Sequence, residues 1–326
     1  MKILHEKSSC CRERIYRFGN RRRQCSWCGK TWSVWKKRRG RKRCRPSKNL
    51  LQKIFVEGQR MRWRRNKKHF HSVNALEKQV RKLTARFIDK PRTEKFLCHR
   101  YILLIDGLWF KFNKTRFTLY VMAVRSVTST CAIFLDPMLL HGKEAYSDWK
   151  HVVETIPPSL KKRIKALVSD GFKGSKKLAK DNKWILQRCH FHFIAQLQVR
   201  RGMWKQMEDR DIREYIYQTA RHLLITKNNV QVIEKQLYLA ITNPHCPRKL
   251  QSIIKEFLKN LDSFRTYLQH PELHLPTTTN TIESMNKLIR KQCRCLKTPQ
   301  SLQRWATAFI RMRPTITCNG HIFQHN

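Results

Sequence analysis

Three observations predict an α/β domain with a mixed central sheet. Apolar, β-rich runs follow one another from residue 101 (YILLIDGLWFKF, FTLYVMAVRSV, TCAIFLDPML), separated only by short polar breaks. Helical and strand patterns then alternate through AYSDWKHVVETI, LKKRIK, ALVSDGF and WILQRCHFH. Residues 193–275 carry almost only helical periodicity, an insertion between the strands and one last helix.

Composition divides the 326 residues further. Residues 1–45 form a basic, zinc-ribbon-like module. In QCSWCGKTWSV a Cys-x-x-Cys turn precedes a glycine and an aromatic strand, so Cys25 and Cys28 have the spacing that points two thiolates at one metal. The other half of such a ribbon is irregular. Cys10 and Cys11 are adjacent, and Ser8 stands where a second Cys-x-x-Cys would place its first cysteine. Either both cysteines, or one with His5, completes a Zn2+ site, or the thiols are core residues of a decayed ribbon. A closed four-ligand site would hold the fold or bind DNA rather than do chemistry.

After a basic linker (KKRRGRKRCRPSK), residues 46–99 read as a helix-turn-helix-like DNA-binding region. Leu50, Leu51, Ile54 and Phe55 recur at helical spacing, as do Leu76, Val80, Leu83 and Phe87 behind the cap candidates Ser72 and Asn74. Lys78, Arg81, Lys82 and Arg86 share the second helix's outer face, a DNA-binding candidate or simply a solvated face. Residues 100–192 are the first part of the α/β core, 193–275 the helical insertion, and 276–326 the final core helix and tail.

The charge names the partner class. Lys and Arg number 70 against 22 acids, a formal charge of +48 whose self-repulsion opposes folding unless a polyanion is bound. Of these, 33 basic and only 6 acidic side chains fall within residues 1–100, interleaved with Trp27, Trp32, Trp35 and Trp63. That pattern points to double-stranded DNA. No run of 18 apolar residues and no signal-peptide pattern appears, so a membrane is not expected. The 12 cysteines, without a secretory signal, argue for reduced thiols or metal ligands rather than a disulfide framework.

Two acids stand out. Asp106 and Asp170 each follow a buried apolar strand and precede a glycine, and a strand-end turn is the ordinary explanation of one such residue. Two of them in one α/β domain are expected to project from the same sheet edge and share Mg2+ or Mn2+, hard cations that take carboxylate oxygens. Glu283, in TTTNTIESMNKLIR, is the third candidate, with Asn280, Asn286, Lys287 and Arg290 around it suited to a DNA backbone. Locally, Asn280-x-x-Glu283 also has capping-box spacing. Cys189 and His192 form a Cys-x-x-His pair, read as half a zinc site with Cys293 and Cys295 or as a buried thiol and a core histidine. Asp136 and Asp148 read as structural.

LLIDGLWF, LVSDGFKG, QRCHFH and TTTNTIESMNKLIR, in this order, resemble Mutator-like transposases and their bacterial insertion-sequence relatives, members of the DDE superfamily. The resemblance covers residues 100–310. It implies an RNase H-like catalytic core in which Asp106, Asp170 and Glu283 bind the metal, with Cys189 and His192 matching the family's Cys-x-x-His signature and therefore standing next to the active site. It also implies cleavage at element terminal repeats, strand transfer to target DNA, a homodimer or larger synaptic assembly, and the nucleoid-associated cytoplasm of a bacterial or archaeal host. The irregular first knuckle departs from the bacterial pattern. Two other readings stay open: a DNA-binding relative without catalysis, and a divalent-metal nuclease.

Overall fold

The computed structural model describes residues 15–18, 22–33, 50–56, 73–92, 94–202, 209–293 and 296–317. Cys10, Cys11, Ser72, Cys295 and the basic linker lie outside the described residues. Near the N-terminus, β1 (Ile15–Phe18), β2 (Arg22–Cys25) and β3 (Thr31–Ser33) form a small antiparallel sheet. Cys25 is buried in the β2–β3 turn, which Gly29 closes at a φ of 65° by donating its N–H to the Cys25 carbonyl.

The main sheet contains β4 (Tyr101–Phe112), β5 (Thr115–Ser126), β6 (Cys131–Phe134), β7 (Met138–His141), β8 (Ile164–Ser169), β9 (Ile185–Arg188) and β10 (Thr315–Thr317). Its order is β10-β6-β5-β4-β8-β9, with β7 also on β5. β4, β5 and β6 run antiparallel as a meander, whereas β8 and β9 join parallel to β4. The central strands are buried on both faces, which explains their unbroken apolar runs.

Alternation along β4 sorts the layers. Ile102, Leu104 and Leu108 face α1 (Leu50–Phe55), α2 (Val73–Ile88), α11 (Asn280–Cys293) and α12 (Pro299–Met312). Tyr101, Leu103 and Ile105 face α3 (Tyr146–Glu154), α4 (Pro158–Lys161) and α5 (Ser175–Asp181). The LKKRIK segment is helical only briefly: its Ile164 already opens β8 and is buried there. The first two helices bury their apolar faces in the sheet's own core. Phe55, fully buried, packs 4.7 Å from the Trp305 ring, and Val80 is likewise buried. Asp136 is structural as expected, gripped by Arg92 and Arg311, and Asp148 accepts a hydrogen bond from Tyr120.

The insertion is a second core. α6 (His190–Gln198), α7 (Arg210–Ile225), α8 (Val230–Thr242), α9 (Arg248–Lys259) and α10 (Leu261–Gln269) bury one cluster around the stacked rings of Phe193 and Phe257, 4.1 Å apart. α10 docks on β9, where Thr266 donates to the Leu186 carbonyl and the buried Gln187 donates to that of Phe264. Among the described residues no helix is long and apolar enough to cross a membrane.

Candidate functional site

Asp106 does not end its strand, contrary to the expectation from sequence. β4 runs on to Phe112 because β5 pairs with its whole length, whereas the parallel neighbour β8 pairs only as far as Leu104. Asp106 therefore sits in mid-strand just past the reach of β8, and Asp170 is the first residue beyond that strand's end. The two aspartates meet at one sheet edge. Ligand atoms of Asp106, Asp170 and His192 all lie within 4.8 Å of one another. Asp170 is set by a local turn in which the Phe172 N–H donates to its Oδ1 at 3.0 Å. Gly171 lies against the Arg188 guanidinium at a φ of 88°, a backbone conformation that L side chains rarely adopt.

Glu283 arrives on the first turn of α11. Thr279, not Asn280, precedes that helix: the Glu283 N–H bonds the Thr279 carbonyl, and the Thr279 hydroxyl lies 3.0 Å from Glu283 Oε1. The Asn280-x-x-Glu283 capping box read from sequence gives way to a contact from Thr279, four residues before Glu283, in a turn pinned from outside. Thr277 and Thr279 are tied to the start of α6. His190 N–H donates to the Thr277 carbonyl, and Thr279 approaches the buried Cys189 sulfur through both its N–H and its hydroxyl, each at 3.3 Å. His192 Nδ1 stands 3.5 Å from Glu283 Oε1, and Cys189, His192 and Glu283 form a second group of ligand atoms within 4.8 Å. His192 thus lies between Glu283 and the two aspartates.

Electrostatics mark the same place. Burial, reinforced by the Asp170 charge, pushes Asp106 up to about 7 against the pull of His192. Burial also raises Glu283, although His192 and Thr279 oppose it. Burial by itself would lower His192, but the Cys189 sulfur and the Glu283 and Asp106 charges raise it to about 9. Carboxylates held so close call for a cation.

The neighbours read from sequence fall in different places. Asn286 is buried and donates to Asp106 Oδ2 at 2.7 Å, so it faces the acid and not a DNA backbone. Cys293 is no partner for Cys189 and His192. It lies ten residues beyond Glu283, about 15 Å along the helix axis, buried in the core, where its thiol is pushed up to about 12. Asn280, Lys287 and Arg290 are exposed, at helical spacing from Glu283 on α11. Lys78, Arg81, Lys82 and Arg86 are exposed along α2.

Two residues near the acids went unread. Glu144, pushed up to about 7 by burial and then by the charge of Asp170, rests against Gly107. Arg188, at the end of β9, bridges the Gly171 carbonyl and Glu256 of the insertion. Glu144 lies in no motif, whereas Arg188 stands inside QRCHFH, one residue before the Cys189–His192 pair that drew the attention.

The family model for "Transposase, Mutator family" matches residues 71–308, which include both aspartates, the insertion and Glu283. Among solved structures, a Drosophila P element transposase strand transfer complex is similar at 10% identity and a TM-score of 0.36, over 81% of this chain and 96% of that one, too remote to bear on the site. No curated protein matches. With most of its length matched by that model, the chain belongs to the Mutator family of transposases.

Proposed function

We propose that the chain is a DNA transposase that cleaves element ends and transfers them to target DNA by a metal-dependent DDE mechanism. The observation that carries this reading is the convergence of Asp106 and Asp170 at one sheet edge, with Glu283 brought across from α11 and separated from them by His192. The strand order β6-β5-β4-β8-β9, antiparallel in its first three members and parallel in its last two, supports assigning the core as RNase H-like.

The donors suit a hard divalent ion: Asp106 and Asp170 offer carboxylate oxygens close together, and Glu283 stands across His192 from them. Mg2+ or Mn2+ bound there would activate the attacking hydroxyl and stabilise the leaving oxygen. The chain's own groups hold and orient. Asn286 fixes the rotation of the Asp106 carboxylate, while the turn at Asp170 fixes the second acid. The contacts of Cys189 with Thr279 anchor the turn that presents Glu283, giving the Cys-x-x-His signature a positioning role. Asn280, Lys287 and Arg290 share the Glu283 helix and suit the phosphates of an incoming end. Water would cleave one strand, and the freed 3′-hydroxyl would then attack target DNA, with no covalent protein–DNA bond. Joining two ends calls for at least a dimer. In the N-terminal module, Cys25 and Cys28 remain candidates for half of a Zn2+ site.

The test is strand transfer by the purified chain on a pre-cut, labelled end duplex with Mg2+ or Mn2+. Joined products support a transposase. Cleavage without joining favours a nuclease, and specific binding without either favours a non-catalytic relative.

The exposed face of α2 is assigned to DNA. Replacing Lys78, Arg81, Lys82 and Arg86 together by Gln is expected to flatten the plot of log affinity against log salt by roughly 3 to 4, about 0.9 for each phosphate no longer neutralised. Anisotropy titrations across about 50 to 200 mM salt measure it. An unchanged slope would make that face merely solvated.

A further inference from the structure

We propose that Trp109 is a stacking platform for an unpaired base of the DNA strand that reaches the acids, flanked by a basic grip on its phosphates. The inference rests on the reading above, that DNA is brought to Asp106, and adds a binding surface outside the acids.

Past the end of β8, strands β4 and β5 run on together as a hairpin. Pairing holds to the last rung, Phe112 with Thr115, and a two-residue turn closes it, Asn113 and Lys114 at φ values of 46° and 67°. A turn with both residues at positive φ matches the twist of the strands, so the hairpin is a stiff arm. Past Leu104 no strand pairs with β4 on the side of β8, the side on which Asp170 lies. A nucleic-acid strand at the acids can therefore pass that free edge.

The aromatic residues of the arm divide by face. Phe110 and Phe112 pack with Leu108 on the core beneath α11 and α12, and Phe117 lies edge-on to Phe112 at 5.8 Å and to His141 at 5.4 Å. Trp109, on the other face, belongs to neither core of the sheet and is 54% exposed. Among the described residues its one ring contact is Arg116, whose guanidinium carbon stands 5.6 Å from the ring centroid. Lys111 pairs across from Arg116 on this same face, and both are exposed, as is Lys114 at the tip. An indole left in water forgoes the gain of burial, which a second flat ring laid on it would restore.

The charge selects the occupant. No acidic residue occurs between Asp106 and Asp136. Among the described residues none of Lys111, Lys114 and Arg116 forms an ion pair. A second copy of this face would set like charges against each other. A nucleotide meets both needs, a base for the indole and phosphates for the cations, the combination by which proteins hold single strands. Bases inside a duplex hide their faces, so the occupant is a base left unpaired beside the cleaved end. Three residues separate Trp109 from Asp106, about 10 Å along a strand, or roughly three stacked base steps.

The test uses the full chain in buffer without divalent metal and two labelled probes, a blunt duplex and the same duplex with a short single-stranded thymidine tail. Wild type is expected to bind the tailed duplex more tightly in anisotropy titrations, and 2-aminopurine placed in the tail should lose fluorescence on binding. Trp109→Ala should weaken the tailed complex by about tenfold, abolish that quenching and leave the blunt complex unchanged. Trp109→Phe keeps an aromatic face and should retain most of both signals. Equal affinity of Trp109→Ala and wild type for the tailed duplex overturns the proposal, and so does an equal loss on both probes. A changed oligomeric state in sedimentation, with DNA binding untouched, also overturns it by giving the indole to a second copy. Wild type that binds neither probe defeats the DNA reading itself.

Discussion

Glu283→Gln is expected to lower strand cleavage and transfer by about a thousandfold or more while leaving DNA affinity and thermal stability close to wild type. Gln has the same shape and can still accept from the Thr279 hydroxyl, so the start of α11 is preserved. What disappears is one ionised metal ligand. Stabilisation of transition-state charge by a well-held cation is worth several kcal/mol, and about 4 kcal/mol corresponds to roughly three orders of magnitude in rate. The assay follows joined products from a pre-cut, labelled end with Mg2+. Full activity in the variant would return Glu283 to a purely structural role at the helix start.

Several elements of the fold could be read from the sequence. Strands β4, β5 and β8 were legible because long apolar runs with short polar breaks suit little besides buried strands. The insertion was legible from its unbroken helical period. Asp106, Asp170 and Glu283 were legible as chemically unusual choices: acids in a chain dominated by Lys and Arg, two of them attached to buried strands.

What escaped depends on contacts between distant segments. An apolar run does not reveal where a neighbouring strand stops, so Asp106 was read as terminal although β5 carries β4 six residues further. The apolar stripes of α1 and α2 look alike whether they meet each other or a sheet, and only Phe55 against Trp305 reveals the sheet's core as their destination. Asn286 was grouped with Asn280, Lys287 and Arg290 as a neighbour of the acids suited to a DNA backbone, and only its bond to Asp106 shows that its own face of the helix is turned inward. Glu144 carries no signal at all. Its place follows from Gly107, thirty-seven residues earlier, and from an indole on the next helix.

Asp106→Asn, in contrast to Glu283→Gln, is expected to raise stability while abolishing catalysis. Asp106 is pushed up to about 7 in the folded chain, against 3.8 for an unhindered aspartate. Below the lower value both states carry the proton and the aspartate costs nothing. As pH rises toward 7 the unfolded chain gives up its proton while the folded chain retains it, so wild-type stability falls. The loss grows by about 1.4 kcal/mol per pH unit and levels off above 7, approaching roughly 4 kcal/mol. Asn cannot ionise and escapes this loss, although it rearranges the contact with Asn286. In metal-free buffer at pH 8 the variant should therefore unfold at a higher temperature than wild type. The two melting temperatures should converge below about pH 3, where Asp106 carries its proton in the folded and the unfolded chain alike. Adding Mg2+ or Mn2+ should raise the wild-type melting temperature and leave the variant nearly unmoved, because the ion recovers its stabilisation only from an ionised Asp106. A variant less stable than wild type at pH 8, with no convergence in acid, would mean that Asp106 is held mainly by its hydrogen bond to Asn286 and is not poised for a cation.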